Sequence, residues 1–274
     1  MSTGYVDAPG EWAGVAAEEL ARRWGVPRVH LYQRVGSTND VARELAESGA
    51  AHGTVVLAEE QVAGRGRGGR GWQSPPGLGL WLSLVVRGWQ REEIALLPLL
   101  VGLATAEALD RFAAPGAVRI KWPNDLLLGD RKLCGILCEA VWESAAPGFV
   151  IAGIGINLLQ QPEDFHPEIR ATATSLAQAA GQPPRRVDVA GEVVTGVLAA
   201  VSVPVREFDP GRLAELASRD ALRGREVIVT AGTQPVAGTA LGIAPDGALL
   251  VRSAPGALRR IRSGSVRLLS SESG

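Results

Sequence analysis

Between Gln61 and Trp72 the chain reads Gln-Val-Ala-Gly-Arg-Gly-Arg-Gly-Gly-Arg-Gly-Trp, with five glycines and three arginines in the eight positions from Gly64 to Gly71. Glycines let a backbone approach a ligand closely, and successive N–H groups in such a run can form a nest for an anion. Arg65, Arg67 and Arg70 add planar, permanently charged forks that match carboxylate and phosphate. Three readings of this stretch stand side by side: a lid over an anionic ligand, an Arg-Gly segment that binds nucleic acid, and a plain surface loop. A Walker loop is excluded because no G-K-[ST] follows. The dinucleotide fingerprint fails as well, because no helix opens at Gly69.

The rarest polar residue types point to the same region. The chain holds 28 Lys and Arg together, of which two are lysines, Lys121 and Lys132; its three asparagines are Asn39, Asn124 and Asn157. Where a chain so biased keeps an ammonium or a carboxamide, those groups are candidates for a specific need. All five lie in motif-like segments: GSTND, KWPND, GDRK and GIGIN. Cys134 and Cys138 are four residues apart in an apparent strand, so their α-carbons lie about 13 Å apart. A disulfide wants about 4.4–6.8 Å, so they read as packed thiols. His30, His52 and His166 match no metal spacing or triad order and receive no chemistry.

These side chains need elements to hold them. Thr54 to Glu59 and Leu80 to Val86 read as strands on either side of the Gly-Arg stretch, rich in β-formers. Residues 11–24 read as one amphipathic helix, from Trp12, Ala16, Leu20 and Trp24 at four-residue spacing. Val29 to Gln33 reads as a strand. A second helix opens at Gly36-Ser37-Thr38-Asn39-Asp40, with Ser37 or Thr38 as N-cap and Asp40 placed as in a capping box. The same turn could instead present hydroxyls and N–H groups to a polar ligand head. Ile94 to Phe112 reads as a long buried helix with Pro98 in its first turn. Val118 to Lys121 is a short strand. Leu126 to Leu128 and Lys132 to Glu139 form a hairpin around Gly129-Asp130, and Phe149 to Ile156 is a buried strand. The small, polar stretch Thr172 to Leu176 is expected to line something, and Gly181 to Arg186 reads as a surface connection. Helices follow over Val189 to Val201 and Leu213 to Ala217. After Arg223 come short strands over Val227 to Val229, Ala237 to Ile243, Leu249 to Val251, Leu258 to Ile261 and Val266 to Leu269, with turns such as Pro245-Asp246-Gly247 between them. The fold class expected is α+β, a mixed sheet with helices packed on it followed by a small β-barrel. The divisions fall at an N-terminal extension (1–30), a main domain (31–221) and the barrel (222–270).

A chain of 274 residues, 46% hydrophobic with a formal net charge of −1, can bury a sizeable core and offers no overall electrostatic attraction to nucleic acid or membrane. No apolar run approaches the ~20 residues of a membrane helix, and the first residues lack the pattern of a secretory signal. The expectation is a cytoplasmic protein. No Ser-His-Asp set, Cys-His pair or metal cluster stands out, so chemistry that needs no enzyme nucleophile fits best. Activation of a carboxylate by a nucleoside triphosphate is one such reaction, since it requires two anions to be held together and the added charge stabilised.

With these motifs in hand, the chain resembles the biotin protein ligases. The resemblance rests on Ser37-Thr38-Asn39, Gln61 to Arg70, Lys121-Trp-Pro-Asn-Asp125, Gly129-Asp-Arg-Lys-Leu-Cys-Gly-Ile-Leu137 and Gly153-Ile-Gly-Ile-Asn157, in that order. It implies that biotin and MgATP give biotinyl-5′-AMP and pyrophosphate, after which a lysine of a biotin carboxyl carrier domain takes the biotin. It implies a biotin site of Ser37, Thr38, Asn39, Gln61, Gly64, Arg65, Gly66, Arg67, Lys132, Gly135 and Gly155. The nucleotide side would comprise Arg65, Arg67, Arg70, Trp72, Lys121, Asn124, Lys132 and Asn157, with Asp125 toward Mg²⁺. Lys132 and Arg67 would carry the chemistry. Residues 1–30 alone precede the core, so the short form without a DNA-binding domain is expected, with no role at DNA or membrane; the resemblance admits a homodimer. Ala173 stands where regulatory members place a Trp beside adenine, which leaves the base contact open. The competing enzyme is a lipoate–protein ligase of the same fold, against which Gln61 and the GRGR stretch argue. The competing non-enzyme is an Arg-Gly RNA-binding module, which leaves the rare Lys and Asn unexplained.

Overall fold

A computed structural model of the chain describes residues 6–7, 10–143, 146–179, 183–232, 234–254 and 256–269. In chain order its elements are β1 (Val6–Asp7), β2 (Glu11–Trp12), β3 (Val15–Ala16), α1 (Ala17–Trp24), β4 (Val29–Val35), α2 (Thr38–Glu47), β5 (Val55–Gln61), β6 (Gly79–Val86), α3 (Leu97–Asp110), β7 (Val118–Lys121), β8 (Asp125–Leu128), β9 (Arg131–Glu143) and β10 (Ala146–Asn157). There follow α4 (Pro167–Arg170), α5 (Arg186–Val201), α6 (Pro210–Arg219), β11 (Glu226–Ala231), β12 (Gln234–Ile243), β13 (Leu249–Ser253), β14 (Ala257–Ile261) and β15 (Ser265–Leu268). The connection expected at 181–186 lies partly outside the described residues, at 181–182.

Eight strands form a mixed sheet in the order β1-β4-β5-β6-β10-β9-β8-β7. Within it β4 and β5 run parallel, which requires a crossover, and α2 supplies it. The other neighbouring pairs are antiparallel. The two-residue alternation of a strand decides what each face carries. Leu80, Leu82, Leu84 and Val86 of β6 join Val150, Ala152, Ile154 and Ile156 of β10 in the core beneath α3 and α5. Val85 and Ile151 face the other way, against Val41, Ala42 and Ala46 of α2. The centre of the sheet is covered on both sides, which explains why β6 is apolar almost throughout rather than alternating.

Two expectations change. Residues 11–24 are not one helix. Ala13 and Gly14 both have positive φ (49° and 78°) and close a two-residue turn between β2 and β3; the helix begins only at Ala17. Positive φ at both central positions is the hairpin geometry that matches strand twist. Trp12 is buried against the Arg186 guanidinium, 4.5 Å from the ring centroid, rather than on a helical face. The capping box at Ser37 is also absent: Ser37 Oγ accepts from Asn39 N at 3.3 Å, while the Asp40 carboxylate is taken by Arg65. The strands after residue 225 form an antiparallel five-stranded sheet, ordered β14-β13-β12-β11-β15, consistent with the small all-β domain expected there. It is tied to the rest by Trp122 Nε1, which donates to Gly247 O at 2.9 Å, and by the Arg225–Asp130 pair at 2.8 Å.

One ion pair joins α5, the sheet and the N-terminal hairpin. Arg186 donates from both terminal nitrogens to Glu59 at 2.8 and 2.9 Å, with side chains 10% and 17% exposed. Removing one member of such a pair leaves a largely buried charge unmatched. Glu59→Ala is therefore expected to cost about 3 kcal/mol, read as a lower urea midpoint with an unchanged slope; a midpoint within error of wild type would show the pair to be dispensable.

Candidate active site

The Gly-Arg stretch is a narrow hairpin rather than an irregular loop. Gln61 bridges Ser74 and Arg65 bridges Gly71, with Gly66 N donating to Arg70 O (2.7 Å) and Trp72 N to Gly64 O (2.8 Å). Its tip turns through Gly68 and Gly69, whose φ values of 67° and 74° are left-handed and suit glycine. At its base, a Cβ on Gly64 would lie 2.5 Å from Trp72 O. The hairpin leans over the sheet and encloses a cavity of about 270 Å³.

The floor follows from strand alternation. In Gly153-Ile-Gly-Ile-Asn157 the isoleucines enter the core, so Gly153, Gly155 and Asn157 share the opposite face. Across the ladders Gly155 pairs with Trp81 and Gly135, and Gly153 with Ser83 and Leu137. Bare backbone there admits close neighbours. A Cβ on Gly153 would overlap Asn39 Oδ1, and one on Gly155 would stand 2.5 Å from Trp72 Nε1. The Trp72 indole thus lies against the glycines, edge-on to Trp81 with ring centroids 6.4 Å apart, and its Nε1 is buried without a partner among the described residues.

One polar chain runs beneath the cavity. Ser74 Oγ accepts from Gln61 Nε2 (2.8 Å), and Gln61 Oε1 accepts from Thr38 N (2.9 Å) and Thr38 Oγ1 (3.0 Å). The Ser83 hydroxyl lies 2.8 Å from Thr38 Oγ1 and 2.6 Å from Asn39 Oδ1. Asn39 Nδ2 donates to Glu139 Oε2 at 2.6 Å. Glu139 also faces Arg65 at 3.7 Å and Arg43 at 3.4 Å, and Arg65 forks onto Asp40 at 2.6 and 2.7 Å. The Asp40 hydrogen bonds raise the Arg65 pKa. The chain therefore begins at one arm of the hairpin and ends on the other.

Cations gather at the second end. Lys132 Nζ lies 2.6 Å from Asp125 Oδ1 and 5.2 Å from the Trp72 ring centroid. Its backbone is fixed by the following segment: Lys132 N donates to Thr172 O (2.7 Å) and Thr174 N to Lys132 O (2.9 Å). Arg67 Nη1 reaches Gly264 O of the C-terminal sheet at 3.2 Å and Asn124 Oδ1 at 3.5 Å. Burial pushes the Arg67 pKa down, against the opposing pull of Asp125, with Arg70 adding to the decrease; a guanidinium nevertheless stays charged. Lys121 is lowered first by burial, with Asp125 opposing and Lys132, Arg70 and Arg225 adding.

The structure brings Ser37, Thr38, Asn39, Gln61, Arg65, Gly66, Arg67, Arg70, Trp72, Asn124, Asp125, Lys132, Gly135, Gly155 and Asn157 to the cavity wall, while Gly64 and Lys121 stand outside it. Thr172 and Ala173 line it too, as the sequence suggests. Sequence reasoning misses Ser83, Glu139 and Gln160. Ser83 sits in an apolar strand, and Glu139 lies a hundred residues from Asn39, so neither carries a local signal; Gln160, three residues past Asn157, was within reach of motif reading. Cys134 and Cys138 are free thiols, and burial pushes both up, Cys138 to about 12. His52 accepts from Arg87 N and His166 from Glu168 N. Among the described residues no group of three or more His, Cys, Asp or Glu is placed to hold a metal ion, and no helix is long and apolar enough to cross a membrane.

Residues 31–157 match the model of the biotin/lipoate A/B protein ligase family, and residues 223–269 match the biotin protein ligase C-terminal domain. The bifunctional ligase/repressor BirA of Bacillus subtilis is 37% identical over 244 residues, covering 85% of this chain and 72% of that protein. The biotin–[acetyl-CoA-carboxylase] ligase of Mycobacterium tuberculosis is 34% identical over 238 residues, covering 82% and 83%. Among solved structures, the Aquifex aeolicus biotin protein ligase in complex with biotin and ATP superposes with a TM-score of 0.76 at 28% identity, covering 88% of this chain and 99% of that one. With both family models matched in order along the chain and relatives above 30% identity covered over more than two thirds of their length, the chain belongs to the biotin protein ligase family.

Proposed function

We propose that this chain, an ATP-dependent biotin ligase by family, runs both half-reactions in the one cavity around Lys132. The observation that carries the reading is the division of that cavity. Thr38 and Gln61 supply a neutral hydrogen-bonding end, and Lys132, Arg67 and Arg70 a cationic one, with an apolar and glycine-lined passage between. A ligand with a polar, uncharged head, an apolar body and a carboxylate tail fits that sequence of surfaces. Biotin is such a molecule.

In the first half-reaction a biotin carboxylate oxygen attacks the α-phosphorus of ATP, and the bond from that phosphorus to the pyrophosphate oxygen breaks. Negative charge from two anions is concentrated where they meet. Lys132 places an ammonium there, and Asp125 at 2.6 Å orients it. Asn124 and Asn157 flank the nucleotide. In the second half-reaction the ε-amine of a carrier-domain lysine attacks the acyl carbon. The carbon–oxygen bond breaks, AMP leaves and the amine releases a proton to solvent. The carrier is a biotin carboxyl carrier domain of a carboxylase, in keeping with the names of the relatives. Asp125 is the carboxylate among the described residues that line the cavity. That set suits Mg²⁺, which binds through one or two carboxylates together with substrate phosphates; the ion would screen the triphosphate.

The direct test incubates the protein with MgATP, a carrier domain and either biotin or lipoate, and weighs the carrier. A mass gain with biotin alone is expected. A gain with lipoate and none with biotin would overturn the reading.

Lys132 can be tested for shape as well as charge. An ammonium is a compact point that can sit between a carboxylate oxygen and an α-phosphate while touching Asp125; a guanidinium is a wide fork. Lys132→Arg should fold and bind biotin but lose at least ~10-fold in pyrophosphate release at saturating substrates, about 1.4 kcal/mol. Lys132→Ala should lose more. A fully active Lys132→Arg enzyme would show that any cation serves.

Arg67 spans from the hairpin to Gly264 O, and so holds the hairpin down at the cationic end. Arg67→Gly should release activated biotin prematurely. Labelling of an unrelated protein is expected to rise above the wild-type rate while adenylate is still made; equal labelling would remove Arg67 from retention of the intermediate.

A further inference from the structure

The polar chain beneath the cavity has more contacts than protons to fill them, and the charge of Glu139 fixes that deficit. Two amides close its ends. Gln61 turns its oxygen toward Thr38, because Oε1 accepts from Thr38 N at 2.9 Å while Nε2 donates to Ser74 Oγ at 2.8 Å. Asn39 turns its nitrogen toward the Glu139 carboxylate, with Nδ2 2.6 Å from Oε2, and Leu137 O at 3.4 Å adds a weaker pull the same way. Asn39 Oδ1 is left facing Ser83 Oγ at 2.6 Å. A carboxylate only accepts, so turning this amide over would press two oxygens together.

Between the two amide oxygens stand two buried hydroxyls, those of Thr38 and Ser83. They make three contacts: Thr38 Oγ1 with Gln61 Oε1 at 3.0 Å, Thr38 Oγ1 with Ser83 Oγ at 2.8 Å, and Ser83 Oγ with Asn39 Oδ1 at 2.6 Å. Each hydroxyl carries one proton. When Ser83 donates to Asn39 and Thr38 to Gln61, the contact between the hydroxyls holds none, and an unfilled buried contact costs free energy. A reversed Asn39 would close the count, donating to Ser83 so that Ser83 donates to Thr38 and Thr38 to Gln61. Glu139 forbids that arrangement. Arg43 at 3.4 Å and Arg65 at 3.7 Å hold its carboxylate in place.

The missing proton can come from a ligand. Thr38 and Gln61 line the cavity, while Glu139 stands behind its wall. A ligand N–H that donates to Gln61 Oε1 frees the Thr38 proton to turn to Ser83, and every contact is then filled. Resting on the biotin-adenylating reading, we propose that Glu139 is a positioning residue whose charge keeps this end of the cavity an acceptor and so selects a head group that donates. The ureido N–H groups of biotin are such donors. Glu139 acts through Asn39, Ser83 and Thr38, and neither gains nor loses a proton.

The test measures equilibrium binding of biotin to the full chain without ATP, beside the two cyclic carbamate analogues in which oxygen replaces one or the other ureido N–H. Wild type should bind biotin at least about tenfold more tightly than the weaker carbamate. Glu139→Gln keeps the size of the side chain, but its own NH₂ group admits the reversed Asn39, so that ratio should fall toward one. Ser83→Ala removes the unfilled contact by another route and should lower the ratio as well. Asp40→Asn loosens Arg65 without touching Asn39 and should leave the ratio as in wild type. Wild type binding both carbamates as tightly as biotin would overturn the proposal. So would a Glu139→Gln protein that loses biotin and carbamate affinity in equal measure, which is what a merely structural role would give, or a ratio that falls in Asp40→Asn too. Should wild type bind no biotin, the biotin-adenylating reading falls, and this proposal with it; the other outcomes leave that reading standing.

Discussion

The site depends on a patch of sheet without side chains. Gly153, Gly155 and Gly135 lie on one face of two paired strands, and what occupies the absent Cβ positions is the working part of the cavity. Asn39 rests on Gly153, while Trp72 and Lys132 approach Gly155 and Gly135. Any larger residue would lift those groups off the backbone. The opposite face of the same strands carries Ile154, Ile156, Cys134 and Ile136, all buried. A glycine-rich strand would be weak by itself. Here the apolar face anchors it, so the backbone can be left bare on the other side.

Built on that floor, the polar chain gives the hairpin a second connection to the sheet. Ser74 and Arg65 belong to its two arms, and each is reached from the same few groups: Thr38, Ser83 and Asn39, which are buried, and Gln61 and Glu139, which are half-buried. Buried polar networks of this kind are costly when partly satisfied and specific when complete. Several residues proposed for the biotin head, Thr38, Asn39 and Gln61, therefore also hold the hairpin in register. Charge is treated differently at the other end. Lys132, Arg67, Arg70 and Lys121 crowd around Asp125, and burial lowers Arg67 and Lys121. Such a cluster is poorly compensated by the protein alone and is suited to bound phosphates.

Much of this was legible before any coordinates. Phe149 to Ile156 reads as a buried strand ending in the Gly-Ile-Gly-Ile-Asn motif, and the scarcity of Lys and Asn marks the segments that meet. The strands bracketing the hairpin and the buried α3 follow from composition and pattern. The failures have local causes. Four-residue spacing of Trp12, Ala16, Leu20 and Trp24 suggests a helix, but Ala13-Gly14 adopts a hairpin turn and Trp12 finds Arg186 instead. Asp40 sits where a capping box would need it, yet Arg65 offers its carboxylate a bidentate charged partner, which a backbone N–H cannot match.

The sequence by itself determined the order of motifs, the spans of the central strands, the cationic character of the Gly-Arg stretch and the family to which these belong. Those properties reside in residue type and short-range spacing, which survive without a fold. Only the tertiary structure decided that Glu139 orients Asn39 and Arg65, that Trp72 lies on Gly155, that Arg67 reaches across to Gly264 and that Gln160 is left with an unmatched carbonyl. Each of these is a meeting between segments far apart in the chain, or a hydrogen bond that fails to form. Neither leaves a trace in local pattern, because burial and hydrogen-bond satisfaction are properties of the packed molecule.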